Sequence, residues 1–331
     1  MAHLATKRFT YWGQLGILAA FCGVGLIIGT FASLIPLLGK IDLQSLTGSG
    51  SEKMMENLFT AANASTLRWM QFISTLFLFF FPPVLYAWLC HQKPFNHLGF
   101  KRQLNIQQVM VVLLIMLAAL PVVSTLQELT EMLPWSKATL LKFKLAEDAY
   151  NKQVAVIARM DNLGDYIISV IVIAFLPAVF EEALFRGGIQ NLLSRWFKKP
   201  IVAIIITAAV FSAIHLSYLG FLSRFALGFI LGWIYYRTGN IWLNIIGHFF
   251  NNAVAVTVLY YTSKPGEKID PSKIEDHFPI IIGLTCLGVL YGLFKIFEVV
   301  SKKYIYHPGE EIAMPGTINT NNPFENDQVI G

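Results

Sequence analysis

Long apolar runs recur along the chain and are separated by short polar segments. An α-helix needs about 20 largely apolar residues to cross the hydrocarbon core of a bilayer. Eight runs approach or reach this length. The pattern therefore predicts membrane-spanning helices at Leu15–Leu38, Trp69–Cys90, Val109–Leu126, Tyr166–Phe185, Ile201–Leu219, Phe221–Tyr236, Ile241–Tyr261 and Pro279–Val299.

Turns and glycines in the later runs predict how these helices are connected and packed. Only a Leu-Gly-Phe turn at 219–221 separates the fifth run from the sixth, so the pattern also allows one fused span. Gly228 and Gly232 form a GxxxG pair in the sixth run, and such pairs let neighbouring helices approach closely. The Thr-Gly-Asn sequence at 238–240 predicts a tight turn into the seventh run.

Composition supports the same class. Hydrophobic residues make up 55% of the chain and charged residues 14%, and the mean hydropathy is +0.56. An ordinary soluble domain carries about 25% charged residues. The sequence therefore predicts an all-α, polytopic membrane helix bundle with about eight transmembrane helices. The net charge of +5 is spread over loops and comes with no nucleic-acid-binding motif, so the expected partner is the bilayer and not nucleic acid.

The polar segments divide the chain into four parts. Residues 1–126 hold the N-terminal transmembrane spans, and residues 166–300 form a second helix bundle. Between them, residues 127–165 mix charged and apolar residues at helical spacing, which predicts an amphipathic extramembrane segment. Residues 301–331 are polar and rich in Asn, Pro and Gly, so we expect a disordered tail.

Orientation follows from the basic loops. The predicted short loops at 91–107 and 186–200 carry Lys and Arg but no acidic residue. Short basic loops stay on the cytoplasmic side of a membrane. We therefore expect an integral protein of a bacterial cytoplasmic membrane, with both termini in the cytoplasm.

Ionisable and amide side chains interrupt three of the apolar runs. An ionisable group inside a membrane span is costly and is a functional hypothesis by default. The fourth, fifth and seventh runs contain these residues, which are Glu181, Glu182, Arg186, His215, Asn244, His248, Asn251 and Asn252.

Helical spacing separates the two adjacent acids. Glu182 and Arg186 are four residues apart, with the acid first, which is the favourable order for an ion pair within a helix. Glu181 lies about 100° further around the same helix. We therefore expect Glu182 to pair with Arg186 and Glu181 to face another partner.

Each histidine shares a helix face with another motif residue. His248 and Asn252 are four apart in the seventh run, and Phe211 and His215 are four apart in the fifth. A carboxylate, two imidazoles and an amide donor match the needs of amide hydrolysis, in which water is activated and an oxyanion is stabilised.

Each of these residues also has a structural interpretation. Acid and base pairs are common at helix ends, and a histidine in a span such as His215 can simply bond to a backbone carbonyl. Asn244 and Asn251 can join helices. Arg224, at the start of the sixth run, can extend its charge to the membrane surface.

Three motifs in this order resemble the CPBP intramembrane protease family, which includes the eukaryotic type II CAAX prenyl endopeptidases and bacterial Abi-like relatives. The family pattern is EExxxR, FxxxH and then HxxxN or HxxxD. This chain carries the three motifs at 181–186, 211–215 and 248–252. The resemblance implies an α-helical membrane endopeptidase that cuts a membrane-associated peptide or protein near the bilayer.

The resemblance also implies a role for each motif residue. Glu181 would be the general base and His215 its partner in activating water. His248 and Asn252 would hold the oxyanion. The remaining two residues, Glu182 and Arg186, would support the first motif.

A zinc enzyme is the rival mechanism. Glu181, His215 and His248 could provide three ligands and leave one position open, as in catalytic zinc sites. The chain has no HExxH motif, and each ligand would come from a different helix. We therefore expect no cofactor and metal-independent glutamate catalysis, with zinc as the alternative.

Two non-proteolytic functions also fit the composition. One is a non-catalytic membrane protein of the bacteriocin-immunity type that retains these residues as a scaffold. The other is a proton-coupled transporter in which the Glu and His residues form a relay. Transporters are commonly built from repeated halves, and the sequence has no evident internal repeat.

Overall fold

A computed structural model of the protein describes residues 9–38, 60–101, 103–262 and 278–302. Within these ranges the chain forms helices and no strands. Nine helices of more than ten residues are present there: α1 Tyr11–Ser33, α2 Ala64–Cys90, α3 Ile106–Glu131, α4 Lys137–Ile157, α5 Leu163–Phe197, α6 Pro200–Ala213, α7 Phe221–Thr238, α8 Ile241–Thr262 and α9 Ile280–Ser301. The expected disordered tail lies outside the described residues from 303 onwards.

Each of the eight predicted spans corresponds to one of these helices. Six helices in the described ranges are long and apolar enough to cross a membrane, and α6 is a shorter apolar helix. The fifth and sixth runs form separate helices, α6 and α7. The all-α, polytopic membrane bundle is thus confirmed, and the protein is an integral membrane protein.

Two predicted span ends were wrong. The fourth run continues as helix past Phe185 to Phe197, so most of the predicted loop at 186–200 is helical. The fifth run leaves the helix at Ala213 and does not reach Leu219. Leu216 has a φ of 53°, a left-handed conformation that an α-helix cannot contain.

The extension of α5 is stabilised by buried hydrogen bonds that the apolar pattern does not reveal. Arg195 lies in this extension and is buried. Its guanidinium donates to the side-chain oxygens of Asn191, Gln14 and Tyr86, at 2.9, 3.2 and 3.1 Å. A cation whose donors are satisfied in this way can be buried without the full cost of desolvation. Arg195 is therefore an internal connection between α1, α2 and α5 and not a loop residue.

The GxxxG pair provides the close helix contact that its spacing predicts. A Cβ at Gly228 would lie 3.2 Å from Ala208, and a Cβ at Gly232 would lie 2.9 Å from Ile204. The backbone of α7 is therefore in direct contact with α6. The carbonyl of Gly232 also accepts a hydrogen bond at 2.8 Å from Gln190 on α5, so α5, α6 and α7 meet at these glycines.

The N-terminal end of α1 and the C-terminal end of α9 lie on the same side of the bundle. Tyr11 at the start of α1 stacks with Trp196 at the end of α5. Gln108 at the start of α3 bonds to Ser301 at the end of α9. Lys101, just before α3, donates to the carbonyl at the end of α7. Because the chain enters α1 and leaves α9 on the same side, these contacts agree with an even number of membrane crossings between the two points.

The helix α4 lies at the opposite end of the bundle, inside the segment 127–165. Ser136 caps its N-terminus, and Phe143 stacks on Tyr218 with ring centroids 4.6 Å apart. Arg68 of α2 holds the connection from α4 to α5, since it donates to the carbonyls of Ile157 and Arg159. The segment thus covers the end at which α6 meets α7.

Candidate active site

A cavity of about 760 Å³ lies beneath α4. Its walls are mostly apolar and come from α2, α3 and the helices α5 to α8. Four polar side chains with predicted catalytic roles line it, and they are Glu181, His215, His248 and Asn252. The structure therefore brings together residues from three helical segments that are distant in sequence.

Glu182 lies behind the cavity wall and joins two of the motifs. It is fully buried, as is Arg186, and the two form the ion pair that their spacing predicts, with Oε2 3.1 Å from Nε. Its other oxygen, Oε1, accepts a hydrogen bond from Nδ1 of His248 at 2.9 Å. This second bond connects α5 to α8 and was not predicted from sequence, because its two residues are 66 positions apart.

The other acid, Glu181, faces the cavity. Its Oε2 is 3.9 Å from Nε2 of His248. Because Nδ1 of that ring is bonded to Glu182, Nε2 is the nitrogen left for chemistry in the cavity. The two adjacent glutamates therefore contact opposite edges of one imidazole.

His215 lies just beyond the end of α6, not on the helix face that the sequence predicts. Its Nδ1 is 2.7 Å from the carbonyl oxygen of Phe211. A carbonyl only accepts hydrogen bonds, so Nδ1 carries the proton and Nε2 is left for the cavity. The sequence analysis noted that His215 could simply bond to a backbone carbonyl, and it does so here. The same side chain also lines the cavity.

The ring of Phe211 is in contact with the ionisable groups around it. Its centroid is 4.9 Å from that of His215 and 6.0 Å from that of His248, and the guanidinium carbon of Arg186 is 5.2 Å away. The phenyl ring therefore separates the buried ion pair from the cavity and limits the positions of both imidazoles.

The asparagines of α8 divide into two kinds. Asn244 is fully buried and donates to the carbonyl of Leu231 at 2.6 Å, so it joins α8 to α7. Asn252 lines the cavity one turn beyond His248, and its Oδ1 accepts a bond from Asn251 at 3.3 Å. This bond engages the oxygen of the Asn252 amide, and its N–H groups form no hydrogen bond within the described residues.

The proposed zinc ligands do not form a metal site. In the described ranges, no group of three His, Cys, Asp or Glu side chains is arranged to hold a metal ion. Glu181, His215 and His248 share the cavity wall, but they do not converge as zinc ligands do.

Two contacts across the cavity roof were missed by the sequence analysis. Arg224 lines the cavity, with its guanidinium carbon 5.5 Å from the ring centroid of Tyr150 on α4. Ser217 donates to Oε2 of Glu147, also on α4, at 2.8 Å. The position of Arg224 in an apolar run was a signal of function, but its partners on α4 cannot be identified from spacing.

Comparisons with known proteins point to the same part of the chain. Residues 163–254 match the type II CAAX prenyl endopeptidase Rce1-like family, and this range contains all three motifs. The uncharacterised protein YpbD of Bacillus subtilis (strain 168) is 33% identical over 89 residues. That alignment covers 26% of this chain and 42% of YpbD, which is less than half of the relative. No solved structure matches the chain.

Proposed function

We propose that the protein is an intramembrane endopeptidase, because residues 163–254 match the type II CAAX prenyl endopeptidase Rce1-like family. It hydrolyses a peptide bond in a membrane-associated peptide or protein. The observation that carries this proposal is the shared cavity, in which Glu181, His215, His248 and Asn252 face one space large enough for a peptide segment.

Water activation is assigned to Glu181 and His215. The Glu181 carboxylate accepts a proton from water, while the unprotonated Nε2 of His215 accepts a hydrogen bond from the second O–H. The water oxygen then attacks the peptide carbonyl carbon. Glu181 afterwards delivers its proton to the leaving nitrogen, and the C–N bond breaks. A general base in such a position contributes roughly 10²- to 10⁴-fold to a rate.

Oxyanion stabilisation is assigned to His248 and Asn252. The Asn252 amide donates through N–H, and Nε2 of His248 donates when the ring carries a proton on each nitrogen. Glu182 already accepts from Nδ1, and this bond fixes the ring so that its other edge, with Nε2, lies on the side of Glu181 and the cavity.

We further propose that the protein resides in the cytoplasmic membrane of a bacterium, with both termini in the cytoplasm. The short basic segments next to α2 and α5 support this orientation. The bilayer is a partner in the reaction, because it concentrates the substrate near the cavity.

A comparison of purified variants tests the proposal. Wild type and Glu181→Gln are incubated in lipid nanodiscs with a panel of membrane-associated peptides, and products are identified by mass spectrometry. We expect cleavage by wild type and a rate lower by roughly 10²- to 10⁴-fold for Glu181→Gln. Glu298→Gln on α9 is the matched control, since Glu298 pairs with Lys295 outside the cavity. Equal cleavage by Glu181→Gln, or none by wild type across the panel, would contradict the proposal and favour a non-catalytic protein of the immunity type.

A further inference from the structure

Arg224 is a cation in the cavity wall that the proposed mechanism does not use. It lies in the first turn of α7. Among the described residues, it is the one Lys or Arg that lines the cavity. Its Nη1 is buried and has no hydrogen-bond partner in the part of the chain that the structure describes. An ionisable group in a membrane-embedded cavity is costly to keep and marks a functional site by default.

The surroundings of Arg224 hold its guanidinium in place. Gly220 lies one turn earlier, and any Cβ at that position would collide with Nη1 of Arg224. On α4, the ring of Tyr150 is 5.5 Å from the guanidinium carbon, within the range of a cation–π contact. Glycine at 220 therefore provides the space that the charged group occupies, and α4 provides a further contact.

No acidic side chain in the described ranges neutralises this charge. The second acid of the cavity wall besides Glu181 is Glu147. Glu147 accepts a hydrogen bond from Ser217 at 2.8 Å, and Ser217 in turn accepts the backbone N–H of Gly220 at 3.1 Å. Glu147 is thus bonded to the turn before α7. These two described residues, Glu147 and Arg224, do not form an ion pair with each other.

The geometry points to a carboxylate subsite at Arg224, and this inference rests on the proposed endopeptidase function. A guanidinium binds a carboxylate through two parallel N–H bonds, and Nη1 is available for one of them. The carboxylate belongs to the substrate, either at its C-terminus or on an acidic side chain near the scissile bond. Arg224 would thereby select substrates by charge, whereas Glu181 and His215 carry out the hydrolysis.

Binding measurements in an inactive background separate this subsite from catalysis. Three peptides of one sequence are labelled at the N-terminus: one with a free C-terminal acid, one with a C-terminal amide, and one with a C-terminal amide and a Glu side chain. Their affinity for Glu181→Gln in nanodiscs is measured by fluorescence anisotropy. We expect at least one acidic peptide to bind roughly tenfold or more tightly than the neutral amide. The acidic peptide that binds more tightly identifies the source of the carboxylate, which is either the C-terminus or the Glu side chain.

Substitution of the arginine then tests its role. Arg224→Gln in the Glu181→Gln background removes the preference for the acidic peptides, whereas Arg224→Lys keeps part of it. Gly220→Ala displaces the guanidinium and also weakens the preference. Arg159→Gln, which removes an exposed arginine paired with Asp161, leaves it intact and is the matched control.

The outcomes distinguish the two proposals. A preference for acidic peptides that is unchanged in Arg224→Gln, or no preference in the starting variant, overturns the subsite. A preference for acidic peptides can depend on Arg224 even if the wild-type protein cleaves none of the peptides. That result supports the subsite and contradicts the endopeptidase proposal. If wild type cleaves, Arg224→Gln raises the KM for the acidic peptide by roughly tenfold or more, a change that mere loss of folded protein would not produce.

Discussion

Glu182 is the residue on which the geometry of the site depends most. Its two oxygens contact Arg186 and His248, so it fixes an arginine on its own helix and an imidazole on α8. Glu181, its neighbour in sequence, faces the cavity and forms no such internal pair with Arg186. Adjacent and chemically identical side chains therefore have different surroundings: Glu182 is enclosed in a buried ion pair, and Glu181 faces the cavity.

This difference predicts that the same substitution affects stability at one glutamate and not at the other. Glu182→Gln leaves a buried arginine without its counter-charge, and loss of one partner of a buried ion pair costs about 3–5 kcal/mol. We expect Glu182→Gln to lower both the Tm and the cleavage rate, and Glu181→Gln to lower the rate but not the Tm. Thermal unfolding in detergent measures the stability. A Tm for Glu182→Gln equal to that of wild type would contradict this account.

The proposed glutamate mechanism, together with the lack of a converging ligand set among the described residues, predicts the response to chelators. We expect EDTA and 1,10-phenanthroline to leave the cleavage rate unchanged from that of the untreated protein, because no step of the proposed mechanism uses a metal ion. Metal analysis of the purified protein accompanies the assay. Loss of activity with the chelator and its return on addition of zinc would establish the metal mechanism through Glu181, His215 and His248 instead.

At the level of helices, the glycine face of α7 sets how closely α5 and α6 approach it. A Cβ at Gly232 would lie 2.9 Å from both Ile204 of α6 and Oε1 of Gln190 of α5. The carbonyls of Gly228 and Gly232 accept bonds from Arg186 and Gln190. Close packing therefore also supplies hydrogen-bond acceptors for the helix that carries the first motif.

A pair of glycine-to-alanine substitutions tests this packing. Gly232→Ala forces α6 and α7 apart, and overpacking of this kind costs about 1–3 kcal/mol, so we expect a lower Tm and lower activity. Gly292→Ala on α9 is the control, because a Cβ there meets nothing within 4 Å, and alanine is the better helix former. An unchanged Tm for Gly232→Ala would show that the contact is not tight.

Sequence reasoning succeeded where the governing interaction is local. The apolar runs predict every span, and i to i+4 spacing predicts the pair of Glu182 with Arg186. It failed at the ends of α5 and α6, where the tertiary bonds of Arg195 to Gln14 and Tyr86 and the left-handed Leu216 override the apolar pattern. It also could not predict the contact of Arg224 with α4, because nothing local relates residues so far apart.

At the level of the whole molecule, the bundle has two chemically different ends. At one end lie the N-terminus of α1, the C-terminus of α9 and the connection from α5 to α6. The other holds α4 above the cavity. The assignment of cytoplasmic termini therefore also decides which compartment faces α4.

Cysteine labelling in intact cells tests this orientation. In a background without native cysteines, Lys142→Cys on α4 and Lys199→Cys between α5 and α6 are compared, since both side chains are exposed. We expect a membrane-impermeant maleimide to label Lys142→Cys and to reach Lys199→Cys only after the cells are lysed. The reverse pattern would place the termini outside the cell.

The central claim, that Glu181 activates the water that breaks the peptide bond, is tested most directly by single-turnover cleavage in H₂¹⁸O. Wild type and Glu181→Gln are mixed in excess with one peptide substrate, and both the product and its isotope content are followed by mass spectrometry. The account predicts one ¹⁸O atom in the new C-terminal carboxylate and product formation at least about a hundredfold slower in Glu181→Gln. Product formed by Glu181→Gln at the wild-type rate would contradict it.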